Sequence, residues 1–199
     1  MVRRTIFAFT AIALSAFSYG SSGQEYSTEE LAALLLDGGY IIFMRHANAP
    51  GELPTPDTAA PGNDRLERQL DEKGRADARN FGEAIRRLGI PVSSVERSPT
   101  FRTRQTAEYA GFEDVIVRDF LLEERMVGVT PERLETLLAE LEQKPVSGNR
   151  LLISHSGNIM ASFPNLDPYI AQGEALIIDP AREQNKLLGR IQISQWQDL

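Results

Sequence analysis

The sequence predicts a layered α/β domain with a largely parallel sheet. Two observations carry that expectation. From residue 27 onward, short apolar runs of strand length alternate with amphipathic stretches at helical spacing. The chain has 199 residues, 42% hydrophobic and 25% charged, which suits one globular domain with a sizeable core. No internal repeat or linker divides it.

Residues 1–23, "MVRRTIFAFTAIALSAFSYGSSG", place Arg3 and Arg4 before an apolar run from Ile6 to Phe17, followed by small residues. This is the layout of a secretory signal peptide, with an apolar part too short to span a bilayer comfortably. An uncleaved N-terminal anchor is the alternative. Cleavage near Gly23 would leave residues 24–199 as the mature domain, periplasmic or secreted. Without Arg3 and Arg4, 19 of the 21 basic residues remain against 28 acidic ones, a net charge near -9. So acidic a chain is a poor ligand for nucleic acid or an anionic membrane surface, and no stable membrane insertion is expected after signal removal. The absence of cysteine excludes a lipoprotein anchor, disulfides and thiol chemistry. Oligomeric state is not written in the pattern.

Ser27 and Glu30 have capping-box spacing, Leu31, Leu34 and Leu35 form an apolar stripe, and Gly38 and Gly39 supply a stop, predicting a first helix. Tyr40 to Met44 read as a buried strand. Residues 48–69 carry four prolines without periodicity and form a long loop of about twenty residues, a lid or a solvated segment. After Leu70, helical spacing returns with Ala78, Phe81, Ala84, Ile85 and Leu88, ending at Gly89 and Pro91. "VSSVERSP" reads as a strand and turn, "TFRTRQTAEYAGF" as a helix, and "DVIVRDFLLEERMVG" as a strand followed by irregular chain. Thr130 and Pro131 open the clearest helix, striped by Leu134, Leu137, Leu138 and Leu141. "NRLLISHSGN" is a second buried strand, and "EALIID" and "KLLGRIQIS" complete the sheet.

The chain has two histidines, His46 and His155, and each closes one of the buried strands. In open sheets of this class, ligands bind at the carboxyl ends of the strands. Two core histidines satisfied by backbone are the competing reading. Metal-binding spacings HExxH and HxH are missing, and "ISHSGN" lacks the GxSxG elbow of a serine hydrolase. Arginine fits better. Arg45 precedes His46, and "ERSPTFRTRQTA" gathers Arg97, Arg102 and Arg104 around a helix start, where forked donors and the helix dipole suit phosphate. Surface pairing of Arg97 and Arg104 with Glu96 or Glu108 is the alternative for those two.

In order, "FMRHA", "LDEKGRADARNFG", "RSPTFRTRQTA", "LLEERMVG" and "LLISHSGNI" resemble the histidine phosphatase superfamily, also called phosphoglycerate mutase-like, over residues 40–178. The export signal and short size look similar to its bacterial lipopolysaccharide core heptose phosphate phosphatase branch. The resemblance implies a three-layer α/β/α sandwich and a metal-independent phosphatase without cofactor, acting on a small-molecule phosphomonoester. It implies His46 as nucleophile, with Arg45, Arg102, His155 and the backbone of Ser156 binding phosphate. It also implies Glu124 as the acid that protonates the leaving oxygen, with Glu123 one residue away as the other candidate. Two positions depart from the pattern. The motif reads Arg-His-Ala rather than Arg-His-Gly, and Glu52 stands where close relatives of the mutase carry asparagine, a gap for Arg65 or Arg68 of the long loop to fill. A phosphate-binding or regulatory module of the same fold with little turnover is the alternative function.

Overall fold

The computed structural model describes residues 26–123, 128–167, 169–182 and 186–199. The expected signal peptide, residues 1–23, lies outside them. The elements run α1 (Thr28–Asp37), β1 (Ile41–Arg45), α2 (Glu72–Leu88), β2 (Val92–Arg97), α3 (Phe101–Tyr109), β3 (Ile116–Val117), α4 (Pro131–Glu140), β4 (Asn149–Ser154), α5 (Ser156–Ser162), β5 (Ala175–Ile178) and β6 (Leu187–Ile191). Among the described residues, no helix is long and apolar enough to cross a membrane.

Local chemistry sets the helix ends. Ser27 and Glu30 close a reciprocal capping box, each side chain accepting from the other's backbone N–H. Asp71 accepts from the Gly74 N–H to start α2, which stops at Gly89 in the left-handed conformation. Thr130 caps α4, with Pro131 in its first turn. α3 has no such side-chain cap. Instead Glu67, from the long loop, accepts the Phe101 N–H at 2.9 Å. Much of that loop is exposed, but it is tied to α3 through Glu67 and closed on itself by hydrogen bonds. Arg68 donates to the carbonyls of Pro50 and Ala49, and Gln69 and Asn63 tie the loop to itself.

The six strands form one sheet in the order β3-β2-β4-β1-β5-β6. β3, β2, β4 and β1 pair in parallel, while β5 is antiparallel to both of its neighbours and alone runs the other way. Side chains alternate between the two faces of the sheet, as strand geometry requires. Ile42, Met44, Leu151, Ile153 and Ile177 meet α1 and α2 on one face. Ile41, Phe43, Leu152, Leu176 and Ile178 meet α4 and α5 on the other. This is the expected three-layer α/β/α sandwich, and it explains why β1 and β4 read as unbroken apolar runs: both of their faces are covered. The ion cluster differs from expectation. Glu96 accepts from Arg150 at 2.5 and 2.9 Å and from Arg118 at 2.6 Å, tying β2 to β4 and to the chain after β3, and Arg97 has no ion pair among the described residues.

α5 and the turn that buries Trp196 carry no sequence signal. α5 has seven residues, "SGNIMAS", with glycine and asparagine in its first turn. Trp196 is fully buried and meets Phe81 edge to face at 5.3 Å.

α2 and α3 approach so closely at Gly82 that a Cβ there would lie 1.9 Å from the Ala110 carbonyl oxygen. Replacing a mid-helix glycine by alanine ordinarily gains up to about 1 kcal/mol. Here overpacking against backbone, about 1–3 kcal/mol or more, outweighs that gain. Gly82→Ala should therefore lower the urea midpoint of unfolding; an unchanged or raised midpoint would show that the helices part freely.

Candidate active site

β1 and β4 are neighbours in parallel register, Arg45 opposite Ser154, and the ladder continues one step further as the His46 N–H donates to the Ser154 carbonyl at 3.0 Å. His46 and His155 therefore leave the sheet side by side, their ring centroids 5.5 Å apart, both nearly fully buried. They stand at the floor of a cleft of about 480 Å³. Arg45, Arg68, Arg102, Ser156 and Glu123 also line it.

The two imidazoles are held in different tautomers. His46 Nδ1 is 2.8 Å from the Ala47 carbonyl, which only accepts, so Nδ1 carries the proton and the Nε2 lone pair is free. The Ala47 N–H in turn donates to Thr106 Oγ1 at 3.1 Å, and Thr106 donates to the Arg102 carbonyl at 2.8 Å, fixing the turn that aims the ring. At His155 the order is reversed. Arg102 Nη2, a donor only, lies 2.9 Å from Nδ1, so Nε2 carries the proton and donates to Ser98 Oγ at 2.8 Å. Burial lowers both imidazole pKa values. His46 falls to about 3, with burial the main cause, partly offset by the Ala47 bond and then reinforced by Arg102, Arg45 and Arg68. His155 is pushed well below its usual value by burial, then by Arg102 and His46. Both rings are neutral at pH 7.

The arginines provide the positive charge. Arg45 Nη1 donates to the Ile170 carbonyl at 2.8 Å, held by the segment before β5. Burial, then Arg68, takes the Arg102 guanidinium down to about 10, so it remains charged. The Nε–H groups of Arg45 and Arg102 are buried and have no acceptor among the described residues. A buried donor left unpaired costs about 1–3 kcal/mol, more when charged, and an acceptor that reached either Nε–H would offset that cost. Ser156 opens α5, where a first-turn backbone N–H has no intrahelical acceptor.

Glu124, expected as the acid, lies outside the described residues. Glu123 lines the cleft, and its Oε2 accepts the Gly157 N–H at 2.9 Å. The chain just before it is pinned by the Leu121 carbonyl, which accepts from Ser154 Oγ and Asn158 Nδ2. Of the loop arginines, Arg68 faces the cleft and Arg65 a neighbouring pocket, while Glu52 lines neither space. Arg97 and Arg104 also face that neighbouring pocket, and Arg104 approaches Glu108 at 3.2 Å, the pairing weighed from sequence. The sequence reading assigned no role to Ser98, Thr106 or Glu67. Ser98 and Thr106 stand within the quoted "RSPTFRTRQTA" stretch, and only their contacts show what they do. Among the described residues no cluster of three or more His, Cys, Asp or Glu is placed to hold a metal.

The model of the histidine phosphatase superfamily (branch 1) matches residues 41–130. No curated protein matches the chain in sequence. Solved structures match in fold. The protein histidine phosphatase SixA, complexed with tungstate, is 17% identical with a TM-score of 0.52, over 76% of this chain and 92% of that one. A SixA protein from Agrobacterium tumefaciens is 21% identical with a TM-score of 0.52, over 77% and 97%. The Rv3214 product of Mycobacterium tuberculosis is 18% identical with a TM-score of 0.53, over 75% and 94%. At these identities the structural likeness concerns the fold, and the sequence match spans the first histidine and the arginine motif. The match over residues 41–130 and the shared fold make the chain similar to the phosphatases of the histidine phosphatase superfamily.

Proposed function

We propose that this protein is an exported phosphatase that hydrolyses small-molecule phosphomonoesters without a metal, through a phosphohistidine at His46. One observation carries the reading: the His46 Nε2 lone pair is freed by the Nδ1–H bond to Ala47, beside buried, unpartnered guanidinium donors. The transferring phosphoryl group has a loose transition state with charge on its equatorial oxygens, so positioning and positive charge do most of the catalysis.

Nε2 of His46 attacks phosphorus while the ester P–O bond breaks. The Glu123 carboxyl group, standing in the cleft, hands its proton to the departing oxygen and the alcohol leaves. Water then attacks the phosphohistidine, giving a proton to the Glu123 carboxylate as the P–N bond breaks, which returns neutral His46 and free phosphate. Arg45, Arg68 and Arg102 hold the three oxygens, with His155 and the Ser156 backbone at their margin. Arg68 takes the place left by Glu52.

Hydrolysis of p-nitrophenyl phosphate in EDTA is expected from the wild type and should vanish in His46→Ala. Loss of activity to the chelator would overturn the metal-free mechanism, and phosphate binding without turnover would mark a binding module instead. In the same assay Glu123→Gln should lose about 10²–10⁴-fold on alkyl phosphates, whose leaving oxygen needs a proton, and far less on p-nitrophenyl phosphate. Equal losses on both would remove Glu123 from the acid role.

The neutral imidazoles give a second readout. Unfolded, each histidine takes up a proton near pH 6.5, whereas folded His46 resists to about 3. The unfolded chain then binds more protons, so this contribution to stability falls as pH drops below about 6.5. Imidazole resonances of the folded protein should hold their neutral positions from about pH 8 to about pH 5; a midpoint near 6.5 at His46 would contradict the buried site.

Export rests on the composition of residues 1–23. Mass spectrometry of the protein recovered outside the cytoplasm should find those residues removed; an intact N-terminus in the cytoplasm would refute it.

A further inference from the structure

A second pocket of about 310 Å³ adjoins the catalytic cleft. Glu67 lines both spaces. Along the chain, Pro99 and Phe101 face the outer pocket while Thr100, between them, faces the cleft. Residues 99–101 therefore stand between the two spaces, and Glu67 belongs to both.

Three guanidinium groups line this outer pocket: Arg65 from the long loop, Arg97 at the end of β2 and Arg104 in α3. Arg97 is half-buried and forms no ion pair among the described residues; its Nη1 donates only to the neighbouring Ser98 carbonyl, at 2.8 Å. Arg104 lies over the Phe101 ring at 4.4 Å, and its buried Nε is 3.2 Å from Glu108 but out of line for a hydrogen bond. Arg65 is exposed, also without an ion pair among the described residues. Burial first and the charge of Arg104 next lower the pKa of Arg97, as expected for like charges held close. Two carboxylates share the walls, Asp64 and Glu67, and Glu67 is already engaged by the Phe101 N–H. Half-buried like charges left without full pairing are costly, and a forked donor set of this kind matches an oxyanion. None of the three arginines lines the catalytic cleft.

We propose that the outer pocket binds a second phosphate-type oxyanion carried by the substrate whose scissile phosphate occupies the cleft. The preferred substrates are then bis-phosphorylated. This rests on the phosphatase reading above for the cleft and adds a specificity site to it.

The test compares ligands with one and two phosphate-like ends. Calorimetric titrations would use α,ω-alkane bisphosphonates of graded length against alkylphosphonates of the same length, with the wild type, Arg65→Gln and Arg104→Gln. Turnover of the corresponding diol bisphosphates and alkyl monophosphates would run beside them. At one spacing the bisphosphonate should bind the wild type about tenfold tighter or better, beyond the statistical gain of about twofold from two equivalent ends. Both variants should erase that preference while leaving alkylphosphonate affinity and monophosphate turnover unchanged. Absence of a preferred length, or variants that weaken both ligand types alike, would overturn the proposal. So would a change in monophosphate turnover on adding inorganic phosphate that Arg104→Gln abolishes, since the pocket would then serve a free anion. If no phosphate ester is turned over, the phosphatase reading fails alone, because the calorimetric comparison still decides whether the outer pocket binds an anion.

Discussion

The site depends on one constraint, the parallel register of β1 against β4. Because Arg45 stands opposite Ser154, the next residue of each strand is a histidine, and the two rings leave the sheet at the same height. A one-residue slip would send each buried side chain to the opposite face. The apolar runs on either side make such a slip prohibitive, since every residue from Ile41 to Met44 and from Leu151 to Ile153 is fully buried. Burying each such side chain is worth about 1.5–3 kcal/mol. The energy that aligns the histidines is thus hydrophobic and lies beneath them.

Electrostatics then divides the work between uncharged and charged groups. The imidazoles are buried and neutral, one with a free lone pair and one as a hydrogen-bonded partner of Ser98 and Arg102. Positive charge is left to guanidinium groups, which keep it under burial where an imidazole does not. In a chain of net charge -7 this is a local inversion, arginine concentrated at one sheet edge.

The strands and long helices were legible because period and caps agree, as at Ser27, Thr130 and Gly89. β1 and β4 were legible for the same reason, as apolar runs buried on two faces. α5 was not, because seven residues including Gly157 and Asn158 carry no helical period and form a helix only where Asn158 bonds back to Leu121 and Ser154. The placement of the two histidines at one edge followed from strand order, but their tautomers did not, since Ser98 and Thr106 act through contacts across 57 and 59 positions of sequence. Spacing alone also left Arg65 and Arg68 equivalent. A loop without period gives no facing, and the structure separates them into different pockets. Glu123 stands in the cleft through the Gly157 N–H, a contact that motif alignment does not see.

The antiparallel β5 has a consequence of its own. Its chain enters the sheet at the edge where the parallel strands leave it, so residues 170–174 arrive beside the histidines and clamp them: Ile170 receives Arg45, and the Gly173 N–H donates to the His46 carbonyl. Together with a β1–β4 pairing that spans 109 positions, this makes the site a late product of folding, with no local fragment that contains it. Synthesis must therefore reach residue 173 before the bonds that hold Arg45 and the His46 carbonyl from this side can form.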